Sequence, residues 1–484
     1  MTAQRHIARA VAWSLLRTWG GRLIGFFVYF QLARLLTPAD IGLFAAGFAL
    51  LVLMELLVDQ GLLHAVVQRP QLSDGLLNAV FITNLLLALG LAGLLALAAP
   101  AIERWMQAPG LASVVVVSSA AVAFTALGLC QEALARRALD FQALALRTLA
   151  STSISGVVAV GMAWNGYGVW ALVLQFVLAS SINTLMLWVR PRWRPSWAFD
   201  VAGLGQLLRF GWHVLAARLV GYAGTRGLDL MVGVLLGPVA LGLFSVGSKL
   251  QFICLQLLGT ALVDVAYPAF SRLQGDAARL RSAHLSAVQS VSMVAMPLWA
   301  LLFLCAPEAI EVAFGPRWAE AVPVLQAMAL IGALQVLNQF DSAALNASGH
   351  PSRSFQLGLL RSLAALAAVG LARDQPLSVL CWAIAASQCA VMPAYLLALR
   401  HTVGTPLRAW LLALAPAWTS ALLMGLVLDL LRTGWPALAS SPAFLRLLVL
   451  GAAGLLSCGL FLMLFARPEL RSLRRSLHGL RAAA

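Results

Sequence analysis

The chain has 484 residues, of which 61% are hydrophobic and only 11% are charged. In soluble domains about a quarter of the residues are charged, so this composition excludes a soluble enzyme. The high hydrophobicity also excludes a disordered chain. The net charge of +15 would suggest nucleic-acid binding in a soluble protein. In a membrane protein it is explained by basic cytoplasmic loops, and we expect no nucleic-acid partner.

Continuous apolar runs of about 20 residues predict membrane-spanning helices, because lipid offers no partner to an unpaired backbone group. We predict an all-α polytopic membrane protein with about 14 transmembrane helices. The predicted spans are, in chain order, 13–36, 41–63, 76–99, 112–135, 146–165, 167–189, 207–236, 241–265, 285–305, 321–345, 354–373, 376–399, 408–431 and 444–466. We interpret the first span as a retained helix and not as a removed signal peptide, since Arg17 and Arg22 interrupt it.

The placement of arginine predicts the orientation in the membrane. If the N-terminus is cytoplasmic, the cytoplasmic segments contain about four times as many Arg residues as the segments on the other side. This bias follows the positive-inside rule. We therefore expect both termini in the cytoplasm, as an even number of spans requires.

Residues 35–47 (LLTPADIGLFAAG) and 235–247 (LLGPVALGLFSVG) form a repeat at an offset of 200 residues. The identical positions are Leu35, Leu36, Pro38, Gly42, Leu43, Phe44 and Gly47 with Leu235, Leu236, Pro238, Gly242, Leu243, Phe244 and Gly247. We predict that Pro opens each turn and that Gly allows two backbones to approach. Chance similarity of apolar turns is the alternative.

The repeat predicts two six-helix lobes of the same orientation, related by an axis along the membrane normal, plus a C-terminal helix pair. The predicted domains are 1–195 for the N-lobe, 196–400 for the C-lobe and 401–484 for the helix pair and basic tail. Such repeats are typical of transporters, in which the substrate binds between the repeats near the midplane of the membrane.

Motifs for catalysis or metal binding are missing from the sequence. The segment GLFSVGSK at 242–249 lacks the Gly-Lys-Ser/Thr of a phosphate-binding loop, and neither HExxH nor GxSxG occurs. The histidines are dispersed, and the cysteines show no CxxC spacing. We therefore predict no catalytic residue, no metal site and no bound cofactor.

Charged residues inside spans are the candidate functional residues, because each costs about 2.5–3.5 kcal/mol at the centre of a bilayer. In the first span, Arg17 and Arg22 are expected to face a wet cavity or to extend to the interface. In the seventh span, Arg218, Tyr222 and Arg226 share an arc of about 100° with Asp229.

This polar stripe of the seventh span has two interpretations. In the first, it forms a cationic cavity wall for an anionic phosphate group, for which Arg is well suited. Alternatively, Arg226 and Asp229 form an i,i+3 ion pair that fixes helix packing.

Carboxylates in two other spans are candidates for coupling transport to H+ or Na+. Glu55 and Asp59 are four residues apart, so that two ionised carboxylates would repel one another and one would hold a proton. The alternative is that Asp59 is solvated at the membrane rim. Asp341, with Asn338 and Gln335, forms a second polar patch, which alternatively lines a helix interface.

Four short segments of the chain are LLTPADIGLFA at 35–45, RRALDFQALALRT at 136–148, GYGVWALV at 166–173 and YPAFSRLQGD at 267–276. Together they resemble bacterial polysaccharide flippases, the Wzx-like members of the multidrug/oligosaccharidyl-lipid/polysaccharide (MOP) exporter superfamily. The resemblance covers about residues 5–400, and the four segments follow one another in the order typical of the family. The resemblance implies an inner-membrane flippase that moves an undecaprenyl-pyrophosphate-linked glycan by alternating access, with other glycan-assembly membrane proteins as candidate partners.

Three other functions are weighed against this one. A superfamily exporter of lipid II or of cationic drugs would share the scaffold, although a cationic cavity disfavours cationic drugs. A glycan polymerase or ligase needs a large extracytoplasmic loop, whereas the longest predicted outside loops, 100–111 and 306–320, are short. A scaffold that recruits glycan enzymes would not transport.

Overall fold

The structure is a computed structural model that describes residues 13, 16–69, 71–258 and 260–465. Across these ranges the regular elements are helices, and no β-strand is found. Long helices expose large apolar side chains, for example Leu97 (82% exposed) and Leu371 (89% exposed), which lipid tails accommodate as readily as a protein core does. The prediction of an all-α polytopic membrane protein is confirmed.

Six long helices cover the chain up to residue 189. They are α1 (Gly21–Leu35), α2 (Pro38–Asp59), α3 (Asp74–Met106), α4 (Leu111–Arg137), α5 (Phe141–Trp164) and α6 (Trp170–Val189). A π-helical turn, Leu16–Gly20, precedes α1, and a short helix, Leu62–Gln68, follows α2.

The next helical stretch, Val201–Leu258, is broken at Gly237, where φ is 80° and ψ is 178°. Glycine adopts this conformation at little cost, and Pro238 has no N–H to continue the hydrogen bonds of the preceding helix. The break separates α7 (201–236) from α8 (238–258).

Six further long helices follow. They are α9 (Ala277–Leu304), α10 (Val322–Ala347), α11 (Pro351–Leu371), α12 (Leu377–Thr402), α13 (Leu407–Gly434) and α14 (Ala443–Phe465). The helix Thr260–Ser271 lies between α8 and α9, Ala306–Phe314 lies between α9 and α10, and Pro436–Ala439 lies between α13 and α14.

Within the described ranges, 12 helices are long and apolar enough to cross a membrane. The segment Arg218–Gln256, which joins α7 and α8, counts as one of them, and the 15 residues of α1 are too few to count. Part of the first predicted span, residues 14 and 15, lies outside the described residues. The number of 14 spans therefore stays a prediction.

Contacts divide the chain into two compact units, Met1–Ser245 and Val246–Ala484. In the first unit, α4 packs against α2, α3 and α6, and α5 packs against α1 and α6. In the second unit, α9 packs against α10 and α13, and α12 packs against α10 and α11. The predicted domain boundaries at 195/196 and 400/401 stay predictions.

Local hydrogen bonds explain why α2 begins at Pro38. The Thr37 hydroxyl accepts from the Asp40 N–H at 3.2 Å, and the Thr37 N–H donates to the Asp40 carboxylate at 3.0 Å, which satisfies two groups that the first turn leaves unpaired. The Asp40 carboxylate also accepts from the Val169 N–H at 3.0 Å, beside Gly168 with φ of 55°. Two of the family-like segments are thus joined by one aspartate.

Candidate functional site

The polar residues of α7 lie against α2. The Arg218 guanidinium donates to the Asp59 carboxylate, and the Tyr222 hydroxyl donates to the Ala49 carbonyl at 2.7 Å. The Arg226 guanidinium lies 5.5 Å from the centre of the Phe48 ring. As α7 advances from 218 to 226, its contacts move back along α2 from 59 to 48, so the two helices run antiparallel.

We call Asp59, Arg218, Tyr222, Arg226 and Asp229 the α2–α7 polar seam. The Arg226 guanidinium donates to the Asp229 carboxylate at 2.8 Å. The side chains of Arg218 and Arg226 are 33% and 41% exposed, and those of Asp59 and Asp229 are 22% and 20% exposed. The seam is therefore half-open, because its charged side chains are only partly buried.

The seam balances two arginines with two carboxylates. The sequence predicted a cationic wall, and the structure pairs each guanidinium with a carboxylate, Arg218 with Asp59 and Arg226 with Asp229. The i,i+3 ion pair of the alternative interpretation is present. A pair that is partly exposed is still able to exchange its carboxylate for another anion, and a head-group contact stays a prediction.

Arg17 and Arg22, the arginines of the first predicted span, contact residues other than those of the α2–α7 polar seam. A nitrogen of Arg17 is 3.7 Å from the Glu132 carboxylate of α4, and the Arg22 guanidinium lies 5.6 Å from the centre of the Trp19 ring. Sequence reasoning missed this group around Glu132, which also contains Arg136 and Arg147. The i,i+4 spacing of Glu132 and Arg136 was a detectable signal, whereas nothing local pointed to Arg147.

The two carboxylates of α2 have different surroundings. Asp59 pairs with Arg218 and also accepts from the Leu63 N–H at 3.3 Å. Glu55 is half-buried and hydrogen-bonds the Thr125 side chain of α4. Among the described residues, Glu55 forms no ion pair, so the two acids are not equivalent. Their proposed titration as a pair stays a prediction.

Asp341 forms a buried contact with a histidine that the sequence did not single out. The His284 Nε2 of α9 lies 2.9 Å from Asp341 Oδ1, and both side chains are 0% exposed. Asp341 Oδ2 and His284 Nδ1 have no hydrogen-bond partner among the described residues. The dispersed spacing of histidines in the sequence concealed this pair, since α9 and α10 bring residues 57 positions apart together.

A cavity of about 490 Å³ lies beside this pair in the second unit. Its lining includes Asn338, Gln339, Ser342, Arg361 and Tyr395. Amide, hydroxyl and guanidinium groups of this kind bind polar ligands. No group of three metal-ligating side chains occurs among the described residues.

Residues 31–323 match the family of polysaccharide biosynthesis proteins. The chain belongs to this family. The matched range includes the α2–α7 polar seam, both copies of the repeat, and Glu132 with Arg136 and Arg147.

Curated relatives cover most of the chain. It is 26% identical to the succinoglycan biosynthesis transport protein ExoT of Rhizobium meliloti (strain 1021), over 75% of this chain and 74% of that protein. It is 24% identical to the teichuronic acid biosynthesis protein TuaB of Bacillus subtilis (strain 168), over 97% of both chains. The predicted resemblance to polysaccharide exporters is confirmed.

The fold is that of a solved flippase. The structure of lipid II flippase MurJ in an inward closed conformation has a TM-score of 0.75 at 15% identity, covering 95% of this chain and 100% of that chain. The chain is a multi-pass membrane protein of polysaccharide biosynthesis with an exporter fold.

Proposed function

We propose that the protein is a flippase that translocates a lipid-linked oligosaccharide or exopolysaccharide unit across the bacterial inner membrane. The family, the exporter fold and the relatives of succinoglycan and teichuronic acid biosynthesis support this proposal. The sugar and the pyrophosphate cross in a hydrophilic cavity, and the undecaprenyl tail stays in the bilayer.

The half-open α2–α7 polar seam is the observation that carries the proposal. An ion pair between α2 and α7 and a second pair within α7 are costly to retain, because desolvation of the charges offsets much of their attraction. Charged groups within spans mark substrate or ion pathways. We propose that Arg218 and Arg226 contact the anionic head group.

Exchange of a carboxylate partner for the pyrophosphate explains how these arginines bind and release the head group. With no cargo present, Asp59 and Asp229 neutralise the two guanidinium groups, which keeps an uncompensated charge out of the bilayer. A pyrophosphate offers more acceptor oxygens to the planar guanidinium fork than a carboxylate does. Release of the cargo restores each ion pair, so the seam returns to its starting state without trapping the head group.

Alternating access requires an energy source, and we propose coupling to H+ or Na+. Glu55, Asp59 and Asp341 are the candidate residues, since carboxylates bind either ion. Glu55 lies one helical turn from the seam carboxylate Asp59, so a change in its charge acts on the Arg218–Asp59 pair through space. Both termini are proposed to be cytoplasmic.

Movement of the lipid-linked glycan across the membrane of sealed proteoliposomes tests the proposal. The purified full-length chain is reconstituted with an undecaprenyl-pyrophosphate-linked oligosaccharide, and the fraction that becomes accessible to an external glycosidase is measured over time. We expect faster exposure than in empty liposomes. Lipid II in the same assay tests the alternative cargo, and no translocation of either lipid would favour a non-transporting scaffold.

A gene deletion identifies the cargo. Loss of the flippase should cause one lipid-linked glycan to accumulate on the cytoplasmic leaflet, and a plasmid-borne copy should restore export. Accumulation of lipid II would replace the proposed cargo class with the alternative one.

A further inference from the structure

Three guanidinium groups surround one carboxylate near the end of α4. Glu132 Oε1 lies 2.6 Å from a nitrogen of Arg136 and 3.7 Å from a nitrogen of Arg17, and Glu132 Oε2 lies 3.1 Å from a nitrogen of Arg147. We call these four residues the Glu132 cluster. They come from the turn Leu16–Gly20, α4 and α5, so tertiary packing assembles the cluster.

The cluster carries an excess of positive charge. Arginine stays protonated in proteins, so among the described residues three cations face one anion, which leaves two positive charges in excess. The side chains of Arg17, Glu132 and Arg136 are 24%, 21% and 37% exposed, and that of Arg147 is only 7% exposed. Repulsion between charges is weakly screened in such a half-buried setting, and a second anion would relieve it.

The hydrogen bonds of the cluster also indicate a missing anion. Glu132 Oε1 already accepts from Arg136, and Glu132 Oε2 lies 3.1 Å from a nitrogen of Arg147. The buried Nε of Arg147 has no hydrogen-bond partner among the described groups. Buried polar groups are paired in the great majority of cases, so the Arg147 guanidinium has room for an acceptor beyond those that the described residues provide.

Apolar side chains on the same elements indicate an amphiphilic ligand. Leu16, Leu139 and Leu146 are 48%, 62% and 47% exposed. The turn between α4 and α5 is held in place because the Asp140 carboxylate accepts from the Ala143 N–H at 3.1 Å. A fixed cationic centre beside exposed leucines suits an anionic head group whose tails remain in the bilayer.

We propose that the Glu132 cluster is a binding site for a phosphate group carried by a membrane lipid. It is separate from the α2–α7 polar seam, and the proposal does not depend on transport. Guanidinium forks match phosphate oxygens, and the positive-inside bias places this corner at the cytoplasmic leaflet, where anionic lipids attract basic groups. The phosphate comes either from an anionic phospholipid or from the pyrophosphate of a lipid-linked glycan.

The first arm of the test measures binding of phosphatidylglycerol to the full-length chain by native mass spectrometry, with phosphatidylcholine as the reference lipid. We expect Arg136→Gln and Arg147→Gln each to weaken binding of phosphatidylglycerol about ten-fold, as loss of one charge-assisted hydrogen bond does. Arg137→Gln is the matched control, because it removes the same charge from the next residue of α4 and should leave the affinity unchanged.

The second arm replaces phosphatidylglycerol with undecaprenyl pyrophosphate, so that the preferred lipid identifies the source of the phosphate. Glu132→Gln provides an opposite readout, since it removes the internal anion: added anionic lipid should raise its melting temperature more than that of the unmodified chain. Arg136 is half-exposed, so Arg136→Gln decides the outcome if Arg147→Gln does not fold. Equal affinities for Arg136→Gln and the unmodified chain toward both lipids, or equal losses for Arg136→Gln and Arg137→Gln, would overturn the proposal.

Discussion

Gly42 and Gly242 lie at reciprocal backbone contacts between α2 and the start of α8. A Cβ atom at Gly42 would be 1.7 Å from the carbonyl oxygen of Pro238, and a Cβ atom at Gly242 would be 1.9 Å from the carbonyl oxygen of Pro38. No side chain fits at either position. Two of the recurring positions, Pro38 with Pro238 and Gly42 with Gly242, therefore bring the two copies of the repeat into contact.

Replacing either of these glycines should destabilise the protein. Gly42→Ala and Gly242→Ala force the backbones of α2 and α8 apart, and overpacking of this kind typically costs about 1–3 kcal/mol. Thermal unfolding of the purified chain measures the effect. Gly93→Ala in α3 is the control, because its Cβ would meet nothing within 4 Å and alanine favours the helix. Equal melting temperatures for Gly42→Ala and Gly93→Ala would contradict the close approach.

Arg226 and Asp229 provide a test of the seam. Arg226→Ala should lower stability, because Asp229 is left unpaired at 20% exposure. The expected loss lies between the roughly 0.2–1 kcal/mol of an exposed pair and the roughly 3–5 kcal/mol of a broken buried pair. Asp229→Asn in the Arg226→Ala background should restore part of it, as measured by thermal unfolding.

Measuring the affinity for a lipid-pyrophosphate glycan distinguishes the structural role of the seam from its proposed role in binding the head group. Arg218→Ala and Arg226→Ala should each weaken binding of a lipid-pyrophosphate glycan about ten-fold. Arg373→Ala is the control, because this arginine is exposed and pairs only with its neighbour Asp374 among the described residues. Unchanged affinity in both seam variants, with normal melting temperatures, would show that the seam holds helices together and does not bind the head group.

Glu55 is expected to contribute to ion coupling. Glu55→Gln keeps the hydrogen-bonding shape and removes the titrating group, so transport in vesicles should lose part of its dependence on pH or on sodium concentration. Glu320→Gln, which changes an exposed glutamate, should keep the dependence of the unmodified chain. If Glu55→Gln also keeps it, coupling lies elsewhere, and Asp341→Asn becomes the variant to measure.

The orientation of the chain is testable with reporter fusions. A fusion at Asp374, between α11 and α12, should report the periplasm, and a fusion at Ser476 should report the cytoplasm. A fusion at Gly404, between α12 and α13, should also report the cytoplasm, which makes it an internal reference. The same compartment for Asp374 and Gly404 would contradict the predicted topology.

The sequence predicted the helical scaffold well, because lipid restricts the choice of secondary structure. An apolar run of about 20 residues must become a helix in a bilayer, and Thr37, Pro38 and Asp40 mark the start of α2 through local hydrogen bonds. The break between α7 and α8 could also be predicted from the sequence, because Gly237 and Pro238 interrupt a helix by their own stereochemistry.

The partners of the charged residues were not readable from the sequence. Helical periodicity placed Arg218, Tyr222, Arg226 and Asp229 on one face of α7, and it also showed the Arg226–Asp229 pair as an alternative. It did not show that Asp59 meets Arg218, because 159 residues separate them.

The sequence by itself determined the membrane class, the helical elements and the family, because each depends on composition, periodicity or local motifs. Tertiary structure alone decided which distant charged and polar side chains meet: Asp59 with Arg218, His284 with Asp341, and Arg17 and Arg147 with Glu132. The physical reason is that an ion pair depends on distance in space, and packing brings together side chains whose separation along the chain carries no periodic signal.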